Sequence, residues 1–260
     1  MVPFASFAVN AFDFLSSMQS QQQLNNITII LVDAKSPANI GAVARSMMNM
    51  GLSRLVLVNP LKDRNEEAYK LAAGADRIIQ EATIVETLAG AITGQNLVIG
   101  TSRHPGRLRK NIRPPREMAG QVVPLLSKNR VAVVFGNEVN GLGNRDLALC
   151  HEIIAIPASE AFPSLNLSHA VMIVAYELFL AARTGVSSGD RKLAPAEDLE
   201  QFHLHLQETL MGIGFLEQDR PGRIMATLRQ IFGRARLDSR DVSILRGILT
   251  AVDRACSKGD

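Results

Sequence analysis

Residues 27–50 read ITIILVDAKSPANIGAVARSMMNM, in which a short apolar run is followed by a polar turn and then by a helical pattern. Ile27–Val32 is almost wholly apolar, as a strand buried on both faces of a sheet should be. In Ile40–Met50 apolar side chains recur on one face, and Gly51 follows as a residue suited to the left-handed turn that ends many helices. The stretch therefore predicts a strand that enters a helix through a polar loop.

The same alternation of short apolar runs and helical patterns continues to about residue 183. Such alternation is typical of a mostly parallel sheet covered by helices. The predicted strands are Ile27–Val32, Leu55–Val58, Thr83–Val85, Leu97–Gly100, Val131–Phe135 and Ile153–Ile156. All six are short and almost wholly apolar, so we expect them to be buried on both faces. The predicted helices of this region are Ile40–Met50, Glu66–Ala73, Glu86–Ile92, Pro115–Leu126 and Leu167–Arg183. The predicted fold class is α/β, with a mostly parallel sheet and helices on both of its faces.

Composition changes at residues 184–195, TGVSSGDRKLAP, which is typical of a linker. The segments beyond it show helical patterns and no convincing strand: Ala196–Phe215, Gly222–Phe232 and Ser239–Cys256. The resulting division gives a disordered tail (1–24), an α/β domain (25–184), a linker (185–195) and a small all-helical extension (196–260).

The chain shows no pattern for secretion or for a membrane span. Its first 23 residues contain an apolar stretch with no Lys or Arg ahead of it, whereas a secretory signal begins with basic residues. Leu167–Ala182 is apolar but short and interrupted by polar residues. The two cysteines, Cys150 and Cys256, lack C-x-x-C spacing, so no disulfide framework or zinc site is predicted. We expect a cytoplasmic protein.

Positive charge is concentrated in two runs, although the formal net charge is only +3. Arg103–Arg116 holds six Lys or Arg and no acid, and Arg220–Arg246 holds seven Arg against two acids. Each run alone would indicate a solvated surface. Together they favour a polyanionic partner, because a guanidinium can bind phosphate oxygens in a bidentate way. His203 and His205 point to different faces of one helical pattern and are predicted to lie at the surface.

The loop after the first strand carries Asn39, Gly41 and Arg45. Parallel sheets bind ligands at the carboxyl ends of their strands, so this loop is well placed for function. Asn39 and Gly41 fall at the expected helix start, near free N–H groups and the positive dipole end, and could hold a phosphate together with Arg45. The alternative is structural: Asn39 caps the helix, Gly41 allows close packing and Arg45 is solvated.

Two further loops follow predicted strands. Gly136–Asn144 holds three glycines, which suits a backbone that approaches a ligand closely. It does not match G-x-G-x-x-G, and the chain contains no G-x-x-x-x-G-K-[ST], which disfavours a dinucleotide oxidoreductase or a P-loop enzyme. In Phe162–Ala170, Ser164 and Asn166 fit a capping role and a functional role equally well.

Taken in order, these three segments resemble the SPOUT methyltransferases. The matching motifs are N-x-G-x-x-x-R at 39–45, F-G-N-E-x-x-G-L at 135–142 and S-L-N-L at 164–167. More narrowly, L-V-N-P at 57–60, A-A-G-A at 72–75, G-T-S at 100–102 and the helical extension resemble the TrmJ group of TrmH-like ribose 2′-O-methyltransferases. The resemblance implies a trefoil knot in the C-terminal part of the α/β domain, which sequence patterns alone would not predict.

The resemblance also implies a reaction: S-adenosylmethionine-dependent methylation of a ribose 2′-hydroxyl, in the first nucleotide of a tRNA anticodon loop, with no metal. Arg45 would be the catalytic arginine, supported by Asn39, while Glu138 and Ser164 would complete the site. The residues implied to line the S-adenosylmethionine pocket are Thr101, Ser102, Arg103, Gly136, Ile156, Ser164, Leu165 and Asn166. The active site would lie at a homodimer interface, with Arg45 of one subunit facing the cofactor of the other.

Several alternatives stay open at the level of sequence. The same motifs would serve methylation of ribosomal RNA or of another tRNA position, and only the helical extension favours the TrmJ group. A non-catalytic RNA-binding module would be favoured if Arg45, Asn39 or S-L-N-L were replaced, and all are present. A small-molecule α/β enzyme is disfavoured by the two basic runs. Asn137 and Val139 stand where many TrmJ-like chains carry Arg, a loss of positive charge that bears on substrate preference.

Overall fold

Six short strands form one parallel sheet in the order β3-β2-β1-β5-β4-β6. The structure is a computed structural model that describes residues 23–61, 65–103, 112–184, 191–216 and 222–257. The strands are β1 (Ile27–Val32), β2 (Arg54–Val58), β3 (Thr83–Val85), β4 (Leu97–Thr101), β5 (Val131–Phe135) and β6 (Glu152–Ile154). All six predicted strands are confirmed, with ends that differ by no more than two residues.

The helices of the α/β part are α1 (Pro37–Asn49), α2 (Glu66–Ala72), α3 (Asp76–Gln80), α4 (Leu88–Ala91), α5 (Pro115–Val122), α6 (Asn144–Leu149) and α7 (Leu167–Arg183). Two of them, α3 and α6, were not predicted, because helices of five or six residues are too short to show a period. Helix α1 begins at Pro37 rather than at Ile40. Proline suits the first helical position, since its missing N–H would be unpaired there.

Helices cover both faces of the sheet, as predicted. On β1 the side chains of Ile27, Ile29 and Leu31 belong to one apolar cluster, whereas Ile30 and Val32 belong to the other. The first cluster includes residues of α1, α2, α5 and α7, and the second includes residues of α4 and α6. The alternation follows from the two-residue period of a strand.

Two details of the predicted core are wrong. Leu24 was assigned to the disordered tail, but it is 1% exposed and packs in the first cluster. Strand β3 was expected to be buried on both faces, but Thr83 and Ile84 are exposed. The reason is position, since β3 lies at the edge of the sheet and pairs with β2 alone.

The helical extension contains α8 (Ala196–Gly212), α9 (Gly222–Ala235) and α10 (Ser239–Cys256) around an apolar cluster of its own. Leu193 and Ala194 of the predicted linker are buried: the Leu193 N–H donates to Asn129 Oδ1 (2.7 Å) and the Ala194 N–H to the Leu237 carbonyl (2.9 Å). Residues 1–22, 185–190 and 258–260 of the predicted tail, linker and extension lie outside the described part of the chain. The trefoil knot stays a prediction, since strand order and pairing do not trace the threading of the chain.

Close packing explains two of the motifs. A Cβ on Gly41 would lie 2.1 Å from the Ala68 carbonyl oxygen, so α1 can approach α2 only with glycine there. In L-V-N-P, Asn59 has φ +44°, a left-handed conformation that Asn tolerates, and its Nδ2 donates to Asp33 Oδ1 (2.7 Å). Among the described helices, none has the length and apolarity needed to span a bilayer.

The strand order brings the functional loops together. Strands β1, β5, β4 and β6 are neighbours and run parallel, so the segments that leave their carboxyl ends meet at one edge of the sheet.

Candidate active site

The carboxyl edge of the sheet opens into a cavity of about 750 Å³. Its walls come from the end of β4, the β5–α6 loop, helix α6, the segment between β6 and α7, and helix α9. Leu142, Ile156 and Leu165 supply apolar surface, and Ser102 and Ser164 supply hydroxyl groups. A largely apolar cavity with a few convergent polar groups is typical of a small-molecule or cofactor site.

The β5–α6 loop folds tightly back on itself at Gly136. A Cβ at this position would lie 2.0 Å from the Gly141 carbonyl carbon and 2.2 Å from the Leu142 nitrogen. The Asn137 Oδ1 accepts from the N–H groups of Val139 (3.0 Å) and Asn140 (2.8 Å), which stabilises the turn. Glycine at 136 is therefore a steric requirement of this wall, and Asn137 organises its backbone.

Glu138 joins three loops that are distant in sequence. Its Oε1 accepts from Asn39 Nδ2 (2.8 Å) and the Ser36 N–H (3.3 Å), and its Oε2 accepts from the Lys35 N–H (3.2 Å). Asn166 Nδ2 in turn donates to Asn39 Oδ1 (3.0 Å). The loops after β1, β5 and β6 are thus connected by an unbroken chain of hydrogen bonds.

The environment of Glu138 keeps its carboxylate ionised. Burial raises the pKa of Glu138, but the hydrogen bonds from Asn39, its own backbone, Lys35 and Ser36 outweigh burial and lower the pKa below its ordinary value. Ser36 is the N-cap of α1, so the carboxylate also lies at the positive end of that helix. A carboxylate with a lowered pKa is a weak base, which favours a positioning role.

The same contacts revise the phosphate interpretation of the first loop. The N–H groups of Lys35 and Ser36 already bind an anion, the Glu138 carboxylate. Gly41 lies in the second turn of α1, where its role is close packing. The structural alternative is therefore the better description of Gly41, whereas Asn39 is not the N-cap but a link to Glu138.

G-T-S at residues 100–102 forms the end of β4 and the opposite wall. Thr101 Oγ1 donates to the Val134 carbonyl (3.0 Å), and the Ser102 N–H donates to the Ile154 carbonyl (2.9 Å). A Cβ on Gly100 would lie 2.7 Å from Cys150 Sγ. These contacts fix the backbone that carries the wall.

The predicted site residues fall into three groups. Those that line the cavity are Thr101, Ser102, Arg103, Gly136, Glu138, Ile156, Ser164 and Leu165. Asn39 and Asn166 lie directly behind Glu138 in the hydrogen-bond chain. Arg45 is exposed on α1 and does not line the cavity of its own chain.

Both parts of the chain match known protein families. Residues 26–176 match the model of the SpoU rRNA Methylase family, and residues 197–260 match that of the tRNA methyltransferase TrmJ, C-terminal domain. The chain is 42% identical over 237 residues to the tRNA (cytidine/uridine-2'-O-)-methyltransferase TrmJ of Salmonella typhimurium, which covers 89% of this chain and 98% of that protein. This chain is a TrmJ-group member of the SpoU methylase family.

Solved structures agree with this membership. TrmJ from Z. mobilis ZM4 is similar with a TM-score of 0.75 and 34% identity, over 87% of this chain and 98% of that one. The SpoU methyltransferase AviRb from Streptomyces viridochromogenes, solved in complex with AdoMet, shares the fold with a TM-score of 0.50 and 20% identity, over 62% of each chain. The prediction of family and fold is confirmed, and this TrmJ-group chain is a methyltransferase.

Sequence reasoning missed one wall of the methyltransferase's cavity. Helix α9 of the extension contributes Gly222, Arg223, Ala226, Arg229 and Gln230, which recur at three and four residues and so share one helical face. The same spacing can be seen in the sequence. Because the side chains on this face are polar or small rather than apolar, the helix was interpreted only as part of a basic surface.

The structure also shows that some arginines of the two basic runs are paired with acidic residues of the protein itself. Residues 104–111 of the first run and 220–221 of the second lie outside the described residues. Arg113 and Arg236 both form ion pairs with Glu152, at 3.6 Å and 2.6 Å. Arg229 binds Glu200, with Nη2 2.7 Å from Oε1. These three arginines stabilise the fold, so fewer arginines are available to a polyanion than the sequence suggested.

The surface prediction for His203 is wrong. The residue is 4% exposed, and its ring packs near both Phe202 and Phe232 in the extension, with Nδ1 3.2 Å from Arg229 Nη1. Burial and the neighbouring Arg229 charge lower the pKa of His203 to about 3, although the Glu200 charge acts in the opposite direction. Burial also lowers the pKa of His151, across the domain boundary, to about 4.

These histidines predict a loss of stability in mild acid. At a pH below the ordinary histidine pKa of about 6.5 but above the lowered values, these histidines are protonated in the unfolded chain and neutral in the folded one. The free energy of unfolding therefore falls as the pH falls through this range. His203→Phe should reduce the difference in unfolding free energy between about pH 7.5 and about pH 5, measured by urea denaturation. His169→Gln, on the exposed face of α7, should keep the wild-type difference. An unchanged difference in His203→Phe would contradict the assignment.

Glu138→Gln tests the three-loop connection. The amide nitrogen of Gln cannot accept from Lys35 or Ser36, so we expect the free energy of unfolding to fall by about 1–3 kcal/mol at neutral pH. Because the pKa of Glu138 is lowered, its stabilising effect is present above the ordinary carboxyl pKa and is lost as the pH falls through the lowered one. Glu160→Gln, at an exposed position between β6 and α7, is the matched control. Equal unfolding curves for the two variants at neutral pH would refute the connection.

Proposed function

We propose that this methyltransferase uses S-adenosylmethionine to methylate a ribose 2′-hydroxyl of tRNA, at the first nucleotide of the anticodon loop (position 32 of the tRNA). The observation that carries the proposal is the 42% identity to a tRNA (cytidine/uridine-2'-O-)-methyltransferase, which runs through both the α/β domain and the extension. The C-terminal match favours tRNA over ribosomal RNA, although the larger family bears an rRNA name.

The cavity fits such a donor. Apolar side chains from α6, the β5–α6 loop and the segment after β6 can hold a nucleoside base, and the hydroxyls of Ser102 and Ser164 face the same space. The Gly136 turn brings backbone groups into this wall where a side chain could not be accommodated. When bound, the donor supplies a methyl group on a sulfonium sulfur. No described group of His, Cys, Asp or Glu could hold a metal ion, and a metal-free reaction stays part of the proposal.

In-line transfer requires that the ribose oxygen be aligned with the methyl carbon and that the hydroxyl proton be removed. The Glu138 connection holds the three loops in a fixed relation, which supplies the alignment. A guanidinium is a hydrogen-bond donor with no acceptor site, so the role of the base is not assigned to Arg45. It instead grips a neighbouring phosphate and stabilises negative charge that develops on the sugar oxygen, while the proton leaves to that phosphate or to water.

A homodimer would supply Arg45 to the cavity. Within one chain Arg45 is exposed and outside the cavity, so a second copy is needed to bring it to the reacting atoms. Two large apolar side chains are exposed on the helix that carries Arg45 and on the helix that packs against it: Met48 on α1 (56%) and Tyr176 on α7 (46%). Exposed apolar surface of this kind favours an interface.

The tRNA backbone would contact the arginines that remain exposed, including Arg103, Arg234, Arg240 and Arg246. They lie on both the cavity mouth and the extension, so one RNA could touch both parts. A cytoplasmic location follows from the proposed tRNA substrate.

The deciding experiment incubates the full-length protein with methyl-labelled S-adenosylmethionine and either bulk tRNA or ribosomal RNA. We expect label in tRNA alone, in a 2′-O-methylated cytidine or uridine that maps to the first anticodon-loop nucleotide. Label in ribosomal RNA, or at another tRNA position, would show that the proposed substrate is wrong and would support the corresponding alternative. Donor binding without any labelled RNA would support a non-catalytic RNA-binding module.

A further inference from the structure

Helix α9 does more than pack against the α/β domain, because five of its residues border the cavity. Gly222, Arg223, Ala226, Arg229 and Gln230 form one continuous face toward it. The cavity is therefore shared between the α/β domain and the extension. A ligand that fills it would contact both.

The helix is fixed in this position on two sides. A Cβ on Gly233 would lie 2.3 Å from the His151 carbonyl oxygen, so the helix touches the backbone just before β6. Arg236, directly after α9, pairs with Glu152 at 2.6 Å. Arg229 is bound to Glu200 on α8. Helix α9 is thus anchored at β6, and β6 pairs with β4, whose end lines the cavity.

The two arginines on this face differ in whether their charge is paired with a carboxylate. The charge of Arg229 is neutralised by Glu200, and its side chain is only 16% exposed. Arg223 lies on the same face, is exposed, and its guanidinium forms no hydrogen bond or ion pair with any residue that the structure describes. At the cavity Arg223 therefore presents five donors and a positive charge that no described residue pairs with.

We propose that α9 is part of the reactant site and that Arg223 binds an oxygen anion there. This inference rests on the proposed function, in which both reactants carry such a group: a carboxylate on the methyl donor and a phosphate beside the target ribose. A guanidinium binds either group through two parallel hydrogen bonds. The extension thereby contributes directly to reactant binding in addition to offering an outer RNA surface.

Two binding measurements on the full-length protein separate the two sources of the anion. Calorimetry with S-adenosylmethionine alone reports the donor carboxylate, and filter binding of bulk tRNA reports the phosphate. We expect Arg223→Ala to weaken one of these affinities roughly tenfold, and Arg223→Lys to weaken it less. Arg254→Ala, which removes an exposed arginine of α10 away from the cavity, is the control.

A loss confined to calorimetry assigns the donor carboxylate, and a loss confined to filter binding assigns the phosphate. If Arg223→Ala matches Arg254→Ala in both measurements, the inference is overturned. Failure of the proposed function is recognised separately, because it appears in the wild type as donor binding without methyl transfer to tRNA. A thermal unfolding curve for each variant confirms that it is folded.

Discussion

Arg45→Lys is expected to lower turnover about 100-fold or more while donor affinity stays at the wild-type value. Lysine keeps the positive charge but loses the planar fork that can hold a phosphate and a developing alkoxide together. Donor affinity should not change, because the proposed partners of Arg45 are a phosphate and a sugar oxygen of the RNA, and not the donor. The measurements are single-turnover methyl transfer to tRNA and calorimetry with S-adenosylmethionine.

Arg54→Lys provides the matched control for this prediction. Arg54 is also exposed, but it begins β2 and so lies at the opposite edge of the sheet from the cavity. Its replacement should leave turnover unchanged. Normal turnover in Arg45→Lys would remove Arg45 from the mechanism.

The second large effect is expected for Gly136→Ala, which should abolish measurable donor binding and lower the free energy of unfolding by about 1–3 kcal/mol. The added Cβ would meet backbone atoms of Gly141 and Leu142 at 2.0–2.3 Å, and backbone cannot rotate away as a side chain can. The loop would have to open, and the wall that it forms would move.

Gly143→Ala in the same loop is the control. Gly143 has φ −69°, which alanine adopts freely, and the nearest atom to an added Cβ is a mobile carboxylate oxygen of Asp146 at 3.3 Å. Calorimetry and urea denaturation should show little change. If Gly136→Ala bound the donor as tightly as Gly143→Ala, the cavity would not be the donor site.

The two variants together test whether Arg45 acts across a dimer. In an equal mixture about half of the dimers are mixed, and each mixed dimer has one site with an intact cavity and an intact Arg45 from different subunits. If Arg45 acts on the partner's cavity, the mixture regains about a quarter of wild-type activity. If it acts within its own chain, the mixture stays inactive, provided that Gly136→Ala is folded.

Local sequence patterns were sufficient for the framework of the fold. β1 and β5 were predicted with their observed ends, because a buried parallel strand is an uninterrupted apolar run. Helix α7 was predicted without error from its three- and four-residue period. Helices α3 and α6 were missed, since one or two turns leave no such period.

The candidate site was predictable only as separate motifs. Glu138 and Asn39 were both singled out, but nothing in a window of sequence indicates that a carboxylate and a carboxamide 99 residues apart will be hydrogen-bonded. His203 was misplaced for the same reason, because its burial depends on Phe232 and Arg229 from the next helix.

The amino-acid order by itself thus determined the alternation of strands and helices, the turn glycines and the family motifs, since each depends on neighbours within a few positions. Tertiary structure alone decided which charges are neutralised, which arginines remain exposed, and that α9 borders the cavity. These properties arise from contacts between segments far apart in the chain, and the energy of such a contact depends on distance in space, which no local pattern records.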